Sequence, residues 1–212
     1  MTRTRPARWL AAPAVAAIFV AGVWVSGGLL TNSFKASMAL TALWFVASGV
    51  ACLAIGIRRR DLRVPVIASY VVVAAAVGGY LAWTTLRDTV VHERVVVGGV
   101  AGNIVLARGS FQSIEHDSRG VAAVVRVGGG TRVLTLTRFS TSPGPDLRVR
   151  LVVGRTENGG SAGARDLGAL KGNKGNQQYR VPDGVDLGRY GAVVIWCRAF
   201  SAAFAKAELL PA

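Results

Sequence analysis

Three stretches of about 20 residues, 9–30, 38–57 and 64–83, contain no Asp, Glu, Lys, Arg or His. Each matches the thickness of a bilayer's hydrocarbon core, and none alternates as a half-buried strand would. Only a helix satisfies every backbone N–H and C=O within one such segment in lipid. The chain therefore predicts three transmembrane helices within residues 1–83. Its 212 residues are 51% hydrophobic and 17% charged, and the apolar excess lies in these windows.

Flanking charge sets the expected orientation. Arg3, Arg5 and Arg8 precede the first helix and Arg58, Arg59, Arg60 and Arg63 fill the second connection, whereas the first connection carries only Lys35. The positive-inside bias puts the N-terminus in the cytoplasm and residues beyond 83 on the outer side of a multi-pass plasma membrane protein. The alternative is a cleaved signal peptide over residues 1–30, against which stand the length of the apolar run and the lack of a clear small-residue cleavage site.

The formal net charge of +14 divides evenly: residues 1–83 hold 8 basic and 1 acidic residues, residues 84–212 hold 17 and 10, so each part carries +7. In the second part the arginines are scattered, without aromatic interleaving, which argues against nucleic acid. Anionic headgroups or envelope polymers remain partners for such a surface.

Residues 84–103 are polar near the membrane and glycine-containing further on, and read as a stalk. From residue 104 the period is two. DLRVRLVV (146–153) sets Leu147, Val149, Leu151 and Val153 on one face and Arg148 and Arg150 on the other. GVAAVVRV (120–127) and TRVLTLTRF (131–139) flank three glycines and read as a hairpin. With further runs at 104–114, 177–181, 192–200 and 204–210, the pattern predicts an all-β domain, an antiparallel β-sandwich over residues 104–212.

Four motifs in order, GSF (109–111), LTRFSTSPGPDLRVRL (136–151), LGALKGNKGNQQYRVP (167–182) and YGAVVIWCRAFSAAFAKAEL (190–209), resemble the DM-thirteen domain family, also titled the electron-transfer DM-thirteen family. The resemblance implies an extracytoplasmic β-domain that accompanies DOMON and cytochrome b-type modules. It also implies a redox or electron-transfer role, with the family's characteristic cysteine at Cys197.

Cys197 is the sole cysteine outside the apolar windows; Cys52 lies in the second. Three readings stand for Cys197: an inert core residue, a redox thiol or prosthetic-group ligand, or an intermolecular disulfide between two copies. Haem ligation within the domain would fall to Cys197 alone or with His116, because the β-region has no methionine and the apolar windows no histidine. His92, His116 and Cys197 are too few and too scattered for zinc, so no metal site is expected. GGSAG (159–163) has the letters of a nucleophile elbow but lies in a loop of a β-region, without the strand and helix that strain the serine. Ser113, His116 and Asp117 read as turn residues. Asp146 reads as a backbone acceptor in its GPDL turn (144–147), after Pro143, or as a ligand to a cation or polar substrate. Lys171 and Lys174 sit among Gly172 and Gly175 and could meet an anion. Trp196 points away from Cys197 and reads as a core anchor.

No enzyme constellation of good specificity appears. The expectation is a membrane-tethered module with a redox role centred on Cys197, or a non-catalytic envelope binding module in which Cys197 is packing. Its partners are the bilayer and an envelope protein or redox partner. Ala47 with Ala51, and Ala74 with Gly78, allow close helix packing within the chain or in a homo-oligomer.

Overall fold

The computed structural model describes residues 7–99 and 102–212 and divides into two compact units, residues 1–83 and 84–212. Arg3 and Arg5, which entered the orientation argument, lie outside the described residues.

In the first unit a 3-10 turn (Ala7–Leu10) leads into α1 (Ala11–Gly28), α2 (Phe34–Arg58) and α3 (Arg63–Leu86). All three helices are long and apolar enough to cross a membrane. α2 begins four residues before the window expected for it and takes in Lys35, and α3 runs on to Leu86. Large side chains such as Val46, at 64% exposure, and Leu53, at 54%, point outward. Inside, packing pairs a missing side chain with a large one: a Cβ at Gly22 would run into the Trp44 ring, and one at Gly49 into Tyr70. Trp44 Nε1 donates to the Phe19 carbonyl at 3.0 Å and the Tyr70 hydroxyl to the Phe45 carbonyl at 2.7 Å. Ser69 Oγ donates to the Ala12 carbonyl at 2.8 Å, joining α3 to α1. Phe19 meets Phe45 edge-on, with ring centroids 4.7 Å apart.

The second unit is β: β1 (Val90–His92), β2 (Ile104–Ser113), β3 (Arg119–Arg126), β4 (Arg132–Ser140), β5 (Leu147–Val152), β6 (Arg165–Ala169), β7 (Lys174–Val181), β8 (Ala192–Cys197), β9 (Ala202–Glu208) and β10 (Leu210–Pro211). They hydrogen-bond in the order β1-β7-β4-β3-β2-β9-β8-β5-β6, with β10 added on β2. The expected all-β domain is present, as one sheet curled into a half-barrel. The reason lies in β2, which pairs with β3 through Ser110 and with β9 from Phe111 onward, so one strand serves both halves. Register shifts in the β2–β3, β3–β4, β4–β7, β5–β6 and β8–β9 ladders add local twist, and twist accumulates into curl.

The predicted hairpin is present as β3–β4, closed by the Val127 N–H on the Thr131 carbonyl at 2.8 Å. The segment expected as a stalk enters the sheet: β1 runs parallel to β7, with Val91 opposite Gly175. A Cβ at Gly175 would collide with the Val91 carbonyl and one at Gly172 would lie 2.6 Å from the Thr89 carbonyl. The two glycines thus leave room for the strand that follows α3. Leu134, Leu136, Val149, Leu151 and Ile195 are all fully buried in this unit, and Phe111 meets Phe139 edge-on with centroids at 4.9 Å.

Candidate functional site

β8 is buried at every position from Ala192 to Cys197, so both of its faces are covered, by different means. Ala192, Val194 and Trp196 pack with Val152 and Ala203 on one face. Cys197 lies on the other, paired with Leu147 on β5 and Ala202 on β9. The alternation expected for Trp196 and Cys197 is therefore observed.

Cys197 has 0% exposure. Its Sγ donates to the Pro145 carbonyl at 3.1 Å, and the next backbone N–H, of Arg198, donates to the Asp146 carbonyl at 3.1 Å. The PGPD turn is thereby fastened to the end of β8. Asp146 takes a left-handed φ of 54° and aims its carboxylate between two guanidinium groups: Arg148 Nε at 2.8 Å and Arg198 Nε at 2.5 Å. Gly144 is required because a Cβ there would lie 2.8 Å from the Phe204 ring. Burial pushes the Cys197 thiol up to about 12, only partly offset by the backbone N–H groups of Phe200 and Ala199. At neutral pH roughly one molecule in 10⁵ would carry the thiolate, the form that reacts with oxidants and metals.

His116 stacks on Phe204, with ring centroids 3.9 Å apart and a 34° tilt. The haem arrangement conceived for Cys197, alone or with His116, does not fit these surroundings. The sulfur has no open face and its proton is committed to a carbonyl, while the imidazole packs at a tilt against a buried phenyl ring. Among the described residues no group of three or more His, Cys, Asp or Glu gathers. Ser113 Oγ accepts from the Ser118 N–H at 2.9 Å and serves the turn that contains His116 and Asp117.

The GGSAG segment is a cover. Gly159 is buried, and a Cβ there would lie 2.9 Å from the Trp196 ring, as one at Gly160 would at 2.8 Å. Arg150 Nη1 donates to the Gly159 carbonyl and holds the segment down. Ser161 is followed by a turn and then β6, so the elbow geometry is absent.

The LKGNKGNQQY segment is organised by a side chain that sequence reading passed over. Fully buried Gln177 accepts from the Lys171 N–H at 3.1 Å and the Tyr179 hydroxyl at 2.8 Å, and donates to the Gly172 carbonyl at 2.7 Å. Lys171 pairs with Glu93 at 2.7 Å and Lys174 with Asp88. Both lysines hold the segment around β1, and each pairing depresses its partner carboxyl below the ordinary range. A glutamine between two strand residues carries no signal in the letters. The Pro and Gly before Asp146 do mark a turn there, but the carboxylate takes the Arg148 and Arg198 side chains instead of the backbone N–H groups expected of it.

Residues 110–209 match the model of a family described as electron transfer DM13. No curated protein matches the chain, and no solved structure does. The matched residues run from Ser110 in β2 to the end of β9 and contain the Cys197 strand, the PGPD turn and the Gln177 segment. Residues 110–209, the greater part of this curled β-domain, are thus what the chain shares with the electron transfer DM13 family.

Proposed function

We propose that the chain is a membrane-tethered module whose DM13 domain lies outside the cytoplasm, and that it works by docking a ligand or partner while Cys197 serves the core. The enclosure of Cys197 carries this reading. A thiol that shuttles electrons must deprotonate and meet an oxidant, whereas this one is sealed, protonated and bonded to the Pro145 carbonyl. The arginine excess in the second connection supports the orientation, and the three apolar helices support the tether. A redox role for the domain itself, in keeping with its family's description, would then rest on a bound partner or group rather than on the thiol.

The test is thiol titration of the full chain in nanodiscs on a Cys52→Ala background, so that only Cys197 is counted. The expected result is no alkylation over hours in the folded state and one thiol per chain after unfolding. Modification within minutes in the folded state, or a native adduct in the intact mass, would restore the redox-thiol reading. A dimer that reductant separates would establish the intermolecular disulfide instead.

A further inference from the structure

The GSF motif is explained only in part by packing. Phe111 turns inward against Phe139. Gly109 is required because a Cβ there would strike the Glu208 carbonyl at the end of β9. Ser110 has neither duty: it faces out, opposite Val121 on β3.

Ser110 lines an open cleft of about 480 Å³ with Arg108, Gly109, Val121, Leu210 and Pro211. The cleft forms because β2 carries β10 on one side, with Leu210 opposite Arg108, and β3 on the other. Neither the Arg108 guanidinium nor the Ser110 hydroxyl has a hydrogen-bond or ion-pair partner among the described residues. This sets Arg108 apart from Arg148, Arg150 and Arg198, which are engaged within the fold. Val121, Leu210 and Pro211 supply an apolar wall, and Leu210 is 49% exposed.

A planar guanidinium with free donors favours a carboxylate, which it can hold through two parallel bonds, and an adjacent hydroxyl adds a third donor. The apolar wall favours a hydrocarbon or aromatic body attached to that carboxylate. The volume lies within the range of small-molecule sites. We propose that this cleft binds a small carboxylate carried on an apolar body. The inference makes no use of Cys197, and its test reads ligand binding rather than thiol chemistry, so the two readings fail separately.

The test uses the full chain in nanodiscs of zwitterionic lipid at physiological salt. The probe is naphthoate, titrated by fluorescence against empty nanodiscs, with naphthylmethanol as the uncharged counterpart. Saturable binding of naphthoate, absent for naphthylmethanol, is expected. Arg108→Gln should weaken it about tenfold, as the loss of a charge-assisted hydrogen bond does. Arg108→Lys should weaken it less, because the charge stays while the two-pronged geometry goes. Arg126→Gln, at an exposed β3 position outside the cleft, should leave it unchanged. Should Arg108→Gln lose the native near-ultraviolet circular dichroism, Leu210→Asp replaces it, placing a repelling charge at the exposed rim. The proposal is overturned by the absence of saturable binding, by equal binding of naphthylmethanol, or by equal losses in Arg108→Gln and Arg126→Gln.

Discussion

The two units use the same apolar residue types in opposite directions. In the helical unit Val46 and Leu53 point outward, and the interior is made where Gly22 and Gly49 admit Trp44 and Tyr70. In the β-domain the valines, leucines and phenylalanines turn inward, and arginines occupy the other face of β5. For helices apolar enough to cross a membrane, lipid would remove the hydrophobic reason to hide an aliphatic side chain, leaving close packing and hydrogen bonds to select the helix contacts. Water restores that reason, and burial governs the sheet.

Truncation of one large apolar side chain in each unit breaks the comparison most directly. Phe204→Ala, at a fully buried site between Gly144 and His116, is expected to cost the β-domain about 3–5 kcal/mol. Leu53→Ala, on an outward helix face, should stay within about 0.5 kcal/mol. Denaturant unfolding of the full chain in nanodiscs, followed by proteolysis of the β-domain and by helix signal, reads both. Equal losses would contradict the difference.

Charge insertion sharpens it. Val46→Arg should reduce membrane insertion by about 2.5–3.5 kcal/mol, the cost of arginine near a helix centre in lipid. Ile104→Arg, at the comparably exposed start of β2, should leave folding of the domain unchanged. Insertion efficiency in microsomes measures the first and domain proteolysis the second. Tolerance of Val46→Arg would mean that this face does not meet lipid.

Alkali should act on the β-domain through its buried acids. Cys197 is raised from 9.0 to about 12 and Tyr179 from 10.0 to about 12, both chiefly by burial. Each stays protonated in the fold after its unfolded counterpart has ionised. Above pH 9 the unfolded state thus binds fewer protons, and stability falls as pH rises toward 12. By pH 10.5 the Cys197 contribution alone amounts to about 2 kcal/mol. Unfolding measured from pH 7 to 11 should show this decline, and Cys197→Ala should flatten it. An unchanged slope in Cys197→Ala would mean that the thiol is not held protonated by burial.

The smallest effect concerns the cover over Trp196. Gly159→Ala forces a Cβ to within 2.9 Å of the indole and should cost about 1 kcal/mol while shifting Trp196 emission to the red as water enters. A Trp196→Phe background identifies which emission moves. An unshifted spectrum at native stability would show that the segment gives way without uncovering the ring.

Much of this is legible in the sequence. The three apolar windows, the β3–β4 hairpin, the face of Arg148 and Arg150 and the opposition of Trp196 and Cys197 follow from period and punctuation, which are local properties of the chain. The sheet's strand order and curl were not legible, because a β-period specifies a face and not a neighbour. Nothing in 104–114 announces that β2 divides its hydrogen bonds between β3 and β9, or that residues 90–92 would add to β7.

The sequence alone determined that this chain has a lipid-compatible α-helical part and a water-facing β part, because charge and periodicity are written residue by residue. Tertiary structure alone decided the surroundings of Cys197. Whether a thiol is a nucleophile depends on what surrounds it, and the Pro145 carbonyl that accepts its hydrogen bond comes from a turn 52 positions away in the chain.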